Sequence, residues 1–225
     1  MERVPEPELM EDEQQALAYA RANFAAPHDR FVALLCERSG AHALEGAALD
    51  LGCGPGDVTF RVARALPRLR IDGVDGSEAM LRLARADAKQ RGLEPRVRFA
   101  RAYLPDEAPP ARDYALVYSN SLLHHLRDPA ALWESATRYG ARGGQLFVGD
   151  LMRPESEQAA RALVAREASG EAEVLQRDFL WSLRAAYTPD EVRAQLDAAG
   201  LAHCAIEVVS DRHWIAYGTL TPLEG

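Results

Sequence analysis

The segment from Gly46 to Leu66 constrains this chain more than any other. Gly46-Ala47-Ala48-Leu49-Asp50-Leu51 is an apolar run that leads into three glycines at alternate positions, Gly52, Gly54 and Gly56. Val58, Phe60, Val62, Ala63 and Leu66 follow with the spacing of an amphipathic helix. Strand, glycine turn and helix in that order open a βα unit. Glycine has no Cβ, so the backbone turns sharply there and lets a ligand approach closely. Free N–H groups at the start of the helix favour an anionic group. The chain therefore builds a small-molecule cradle at the end of its first strand.

The details of the turn narrow the ligand. A dinucleotide fingerprint needs Gly-x-Gly-x-x-Gly, but here Asp57 stands where the third glycine belongs. Pro55 offers no N–H to a pyrophosphate, and an acid at the helix start repels one. No Lys-Ser/Thr pair is present, so the loop is not a P-loop. A dehydrogenase is the least favoured enzyme reading. The turn suits a ligand with a positive amino end and no phosphate. Arg70-Ile71-Asp72-Gly73-Val74-Asp75 reads as a second strand ending in a carboxylate, 19 residues after Gly56. That is near the βαβ spacing at which an acid meets a ribose hydroxyl. Taken alone, Asp75 would read as an ordinary strand-end acid.

Asp50 to Gly56 resembles, residue by residue, the first motif of the class I S-adenosylmethionine-dependent methyltransferases, Asp/Glu-x-Gly-x-Gly-x-Gly after an apolar strand. The resemblance covers residues 46–150 with four ordered motifs. It implies that Asp50, Gly52, Cys53, Gly54 and Asp57 hold the methionine part of S-adenosyl-L-methionine, and that Asp75 and Gly76 meet the ribose. It places Met80 against adenine, with Ala102 and Tyr103 in the adenine region, where this chain has Arg101-Ala102-Tyr103 in place of the family's frequent acid. After the fourth strand, Tyr114–Tyr118, the run Ser119-Asn120-Ser121-Leu122-Leu123-His124-His125 resembles the fourth motif region of small-molecule members. Ser119, Asn120 and Ser121 complete the implied cofactor site. The implied reaction is in-line methyl transfer, leaving S-adenosyl-L-homocysteine. The implied fold is an α/β, Rossmann-like, doubly wound sheet of seven strands with the last antiparallel.

Composition excludes several partners. The 26 basic and 34 acidic residues give a net charge of −8, which opposes phosphate-driven binding of nucleic acid. No apolar run approaches the roughly 20 residues of a membrane span, and residues 1–7 lack a signal-peptide core. Cys36, Cys53 and Cys204 form neither a close pair nor a metal-ligand spacing. A cytoplasmic, disulfide-free enzyme without a metal is expected, acting on a small-molecule acceptor, with no nucleic acid or membrane partner. Nothing in the pattern fixes an oligomeric state.

The chain is expected to form one methyltransferase domain over 1–225: an N-terminal helical cap (1–45), a cofactor core (46–150), a helical substrate cap (151–187), and a final helix and hairpin (188–225). Residues 1–8 read as disordered. Two helices are expected in 9–39, separated near Pro27. Thr188-Pro189-Asp190-Glu191 is a capping box that starts a helix ending at Gly200. Strands follow at 205–209 and 213–217.

Methyl transfer from a sulfonium needs alignment of the acceptor, exclusion of water and, for some acceptors, removal of a proton. The acceptor walls are expected from 15–30 and 150–187. Tyr19, Asn23, Phe24 and His28 read as a lid or as packing of a cap helix. Asp150, at the end of the fifth strand, and Arg153 are expected to face the acceptor. His124 and His125 are base candidates because imidazole titrates near neutrality, and adjacent residues point different ways, so at most one faces the acceptor. Arg177-Asp178 reads as a local ion pair. No Asn/Asp-Pro-Pro-Tyr/Phe motif follows the fourth strand, which argues against methylation of planar amino groups in DNA or glutamine. Alternatives are methylation of RNA or protein, or a catalytically silent cofactor-binding scaffold.

Overall fold

Apolar residues on adjacent strand positions separate onto the two faces of one sheet. Ala48 and Leu49, Leu116 and Val117, Phe147 and Val148, and Ile215 and Trp214 each send one side chain to each of two buried cores. That is the two-residue period of a strand covered on both faces. The structure is a computed structural model, which describes residues 1–6, 12–22 and 24–220.

The strands are β1 (Gly46–Leu51), β2 (Leu69–Asp75), β3 (Val97–Arg101), β4 (Tyr114–Asn120), β5 (Gly140–Leu151), β6 (Ala205–Ser210) and β7 (His213–Thr219). Their order is β3-β2-β1-β4-β5-β7-β6. The first five are parallel, and β7 is antiparallel to both of its neighbours. The order reverses between β1 and β4, the switch point where doubly wound sheets bind ligands beyond the carboxyl ends of their strands.

Helices α1 (Glu13–Arg21) and α2 (Ala25–Arg38) precede the sheet; α3 (Asp57–Ala65), α4 (Glu78–Gln90) and α5 (Ala130–Tyr139) cross between its strands. Helices α6 (Glu157–Glu167), α7 (Glu173–Ala185) and α8 (Pro189–Ala198) come between β5 and β6. The Thr188–Glu191 capping box forms in both directions, and Ser77 caps α4 through the Met80 amide. Among the described residues, no helix is long and apolar enough to cross a membrane.

Two expectations need correction. The first helix ends at Arg21 and the second starts at Ala25, so Pro27 sits inside the first turn of α2. First-turn amides have no intrahelical acceptor, so a proline costs nothing there. Residues 1–6 are bound rather than disordered. The Met1 ammonium donates to the Glu155 carbonyl (2.8 Å), and the Val4 amide donates to the Arg184 carbonyl (3.0 Å). Arg3 lies 4.1 Å over the Tyr187 ring and donates to the Ala185, His124 and Leu126 carbonyls. Residues 7 and 8 fall outside the described residues.

Candidate active site

The glycine turn is shaped by what surrounds it. The amides of Gly52 and Cys53 both donate to the Val74 carbonyl, at 2.8 and 3.0 Å, which ties the turn to the end of β2. Gly52 has φ +72°, and a Cβ there would lie 2.7 Å from Leu122. Gly56 has φ +89° and is blocked in the same way by Phe99 and Phe60. Both positions need glycine for conformation and for space. A Cβ at Gly54 would meet no atom within 4 Å, since this residue borders a cavity of about 930 Å³.

The cavity lies over the carboxyl ends of β1, β2 and β4. Asp50, Gly52, Cys53, Gly54, Asp57, Asp75, Gly76, Met80, Ala102, Tyr103, Asn120 and Ser121 all border it, as do Tyr19, Phe24, His28 and His125. Leu104, Pro105 and Leu122 add apolar wall that the sequence reading did not single out. Helix α1 reaches the cavity by packing Ala16 and Tyr19 on Ala79 and Met80 of α4. Tyr19, Phe24 and His28 form a row of tilted rings, with centroids 4.9 and 5.6 Å apart. Asn23 lies outside the described residues.

Two carboxylates dominate the chemistry. Asp75 accepts from the Gly54 amide through one oxygen and from the Ser77 amide through the other, each at 2.8 Å. Burial raises its pKa against those two bonds. Each oxygen keeps a lone pair for a further donor. Asp50 is buried and accepts from the Thr59 hydroxyl at 2.6 Å. Burial pushes its carboxyl up to about 7, Thr59 opposes that, and the nearby Asp75 adds to it. Among the described residues no cation pairs with Asp50.

Residues 48–144 match a family described as a methyltransferase domain. The core of this chain is thus similar to a methyltransferase domain. The trans-aconitate 2-methyltransferase of Methylobacterium radiotolerans is 36% identical over 124 residues, which cover 52% of this chain and 44% of that protein. The 27-O-demethylrifamycin SV methyltransferase of Amycolatopsis mediterranei is 28% identical over 182 residues, covering 81% of this chain and 61% of that protein. The chain thus spans about half the length of these curated relatives. In structure, a SAM-dependent methyltransferase from Aquifex aeolicus superposes with a TM-score of 0.67 over 93% of this chain and 99% of that one, at 15% identity. The seven-stranded class I methyltransferase fold expected from the motifs is the fold observed.

Several residues of the core and its surroundings lie elsewhere than expected. Asp57 borders the cavity, but one of its oxygens is taken by His28 Nδ1 (2.7 Å) and Arg61 Nε (2.9 Å). The His28 hydrogen bond above all, with Arg61 beside it, pulls the carboxyl down to about 2. Asp57 thus fastens α2 to the start of α3. Ser119 is buried on the far face of β4 and donates to the Leu51 carbonyl at 2.8 Å. Arg153 does not border the cavity; it donates to the carbonyls of Met1 and Ala186 and pairs with Glu191.

The histidine pair divides. His124 is 2% exposed and does not border the cavity, whereas His125 does. Asp150 does not reach the acceptor side either. It shares strand parity with Val148, on the face covered by α5 and α8, and its Oδ1 lies 2.5 Å from His124 Nδ1. Burial alone would lower the pKa of His124, but the charge and hydrogen bond of Asp150 outweigh it and raise the pKa. By the same pairing, Asp150 stays below the usual carboxylate range despite burial. Glu6, which the sequence did not single out, meets both rings: its Oε1 is 3.0 Å from His125 Nδ1 and 3.5 Å from His124 Nε2. Arg177 and Asp178 do form the expected local pair at 2.9 Å.

Proposed function

We propose that this chain transfers a methyl group from S-adenosyl-L-methionine to a small-molecule acceptor. The observation that carries the reading is the placement of Asp50 and Asp75 on one cavity with the glycine turn between them. Asp75 would hold the ribose hydroxyls with the lone pairs left by Gly54 and Ser77. Asp50, buried without a cation, would hold the amino group. Met80 and Ala102 would flank the adenine. When bound, the cofactor supplies an already activated methyl group, so the protein's work is alignment and exclusion of water.

The acceptor would lie against the wall made by Tyr19, Phe24, His28 and His125. Of the two adjacent histidines, His125 is the one able to take a proton from it. At about 930 Å³ the cavity is near the upper end of the roughly 300–1,000 Å³ that ligand pockets span. The relatives' names, one acting on trans-aconitate and one on a rifamycin, support an acceptor of small-molecule class.

Calorimetric titration with S-adenosyl-L-homocysteine tests the cofactor half. Wild type should bind one equivalent, and Asp75→Ala should weaken binding by at least about 100-fold, the cost of two charge-assisted hydrogen bonds at roughly 1.5–3 kcal/mol each. Equal affinity in the two proteins refutes the assignment.

A further inference from the structure

We infer that Glu6, His124 and His125 form a site for one divalent transition-metal ion of the zinc type. Glu6 carboxylate oxygen, His124 Nε2 and His125 Nδ1 all lie within 4.8 Å of one another. Tetrahedral zinc with nitrogen and oxygen ligands at about 2.0–2.2 Å separates neighbouring ligand atoms by about 3.3 Å. The two separations from Glu6 Oε1, 3.0 and 3.5 Å, bracket that spacing.

Each of two ligands is held from behind. His124 Nδ1 lies 2.5 Å from Asp150 Oδ1 and donates to that carboxylate, so Nε2, the nitrogen facing Glu6, is the one offered to an ion. This carboxylate–histidine arrangement is the one that orients metal-bound imidazoles. The Ser182 hydroxyl, 3.2 Å from Glu6 Oε1, steadies the carboxylate. Glu6 Oε1 faces both His124 Nε2 and His125 Nδ1, so a single ion can be shared by all three groups. Glu6 and Asp150 offset a divalent charge, and Arg3 is turned to the carbonyls of His124 and Leu126.

Zinc, cobalt(II) and related ions suit two imidazoles and one carboxylate better than magnesium or calcium, which prefer all-oxygen sets. The ion would staple residues 1–6 to the turn after β4. It would also fix the proton of His125. Without metal, His125 Nδ1 faces Glu6 Oε1 at 3.0 Å. With Nδ1 coordinated, the proton sits on Nε2, and His125 no longer accepts one. This last consequence rests on the acceptor reading above; the metal site does not.

The test uses the full chain, freed of affinity tags and stripped by a chelator. Zinc titrated by calorimetry should bind at one equivalent. Cobalt(II) should give the intense visible bands of a tetrahedral site. Glu6→Gln and His125→Asn should each weaken zinc at least about 100-fold and abolish the bands. Asp150→Asn, one step removed, should weaken zinc by about 10–100-fold. S-adenosyl-L-homocysteine binding in the same samples reports folding and the cofactor half independently. Equal zinc affinity in wild type and Glu6→Gln, or cobalt without tetrahedral bands in wild type, overturns the metal site and leaves the cofactor assignment untouched.

Discussion

Asp50 should make cofactor binding depend on pH in a defined way. Its carboxyl is held at about 7 by burial against an ordinary 3.8. At 1.36 kcal/mol for each pH unit, ionising it in the empty protein costs on the order of 4 kcal/mol. The sign follows directly. Between pH 4 and 7 the folded chain binds a proton that the unfolded chain has released, so this group stabilises the fold at low pH. That contribution is lost as pH rises through 7. An ammonium bound beside Asp50 restores the balance by favouring the carboxylate. At pH 6 about nine tenths of Asp50 is protonated in the empty protein, and at pH 8 about one tenth. S-adenosyl-L-homocysteine should therefore bind about tenfold tighter at pH 8 than at pH 6, and release close to one proton on binding at pH 6. Calorimetry at both pH values, in buffers of different ionisation enthalpy, measures both quantities. Asp50→Asn should bind more weakly and show neither effect. Wild type that releases no proton at pH 6 and binds equally at both pH values would refute the pairing of Asp50 with the amino group.

Three further outcomes follow from packing and charge. Gly73→Ala would set a Cβ 2.8 Å from Phe99 and 3.0 Å from Cys53, and should cost about 1–3 kcal/mol in urea unfolding. Tyr114→Phe removes a buried hydroxyl that donates to Asp72 (2.7 Å) and accepts from the Ala111 amide (3.0 Å). A loss of about 1–3 kcal/mol is expected, read as a Tm lower by several degrees. Asp57, held at about 2 by His28 and Arg61, stabilises the fold above its unfolded pKa, and this is lost as pH falls from about 4 to 2. His28→Ala should shrink that acid-dependent loss, followed by circular dichroism.

Local signals were the legible ones. The strand, glycine turn and helix of 46–66 announce themselves because apolar period and glycine spacing lie within some twenty residues. Asp75 is legible for the same reason, being one βα unit away. Asp150 and Ser119 were misread because strand parity assigns a side chain to a face only once register is known, and Arg153, past the end of β5, was misread because its partners Met1, Ala186 and Glu191 are distant in sequence. Ser119 and Val117 share a face, and so do Asp150 and Val148. Glycine weakens the strand pattern over Gly140–Gly144, yet β5 begins there. Glu6 was invisible. Its partners His124, His125 and Ser182 lie more than 110 residues away, and an acidic, proline-bearing start reads locally as disordered chain.

The position of β7 has a bearing on how this molecule opens. Among the described residues, β6 pairs with no strand but β7, while β7 also pairs with β5. Any fluctuation that lifts β7 from β5 carries β6 with it, so slow amide exchange in β6 cannot outlast the attachment of β7. The cofactor-side strands β1, β2 and β4 do not depend on that attachment. Hydrogen exchange should thus divide the sheet into two cooperative units. The cradle around Asp50 and Asp75 would persist while the β6–β7 edge, and with it the outer flank of β5 that carries Asp150, comes and goes.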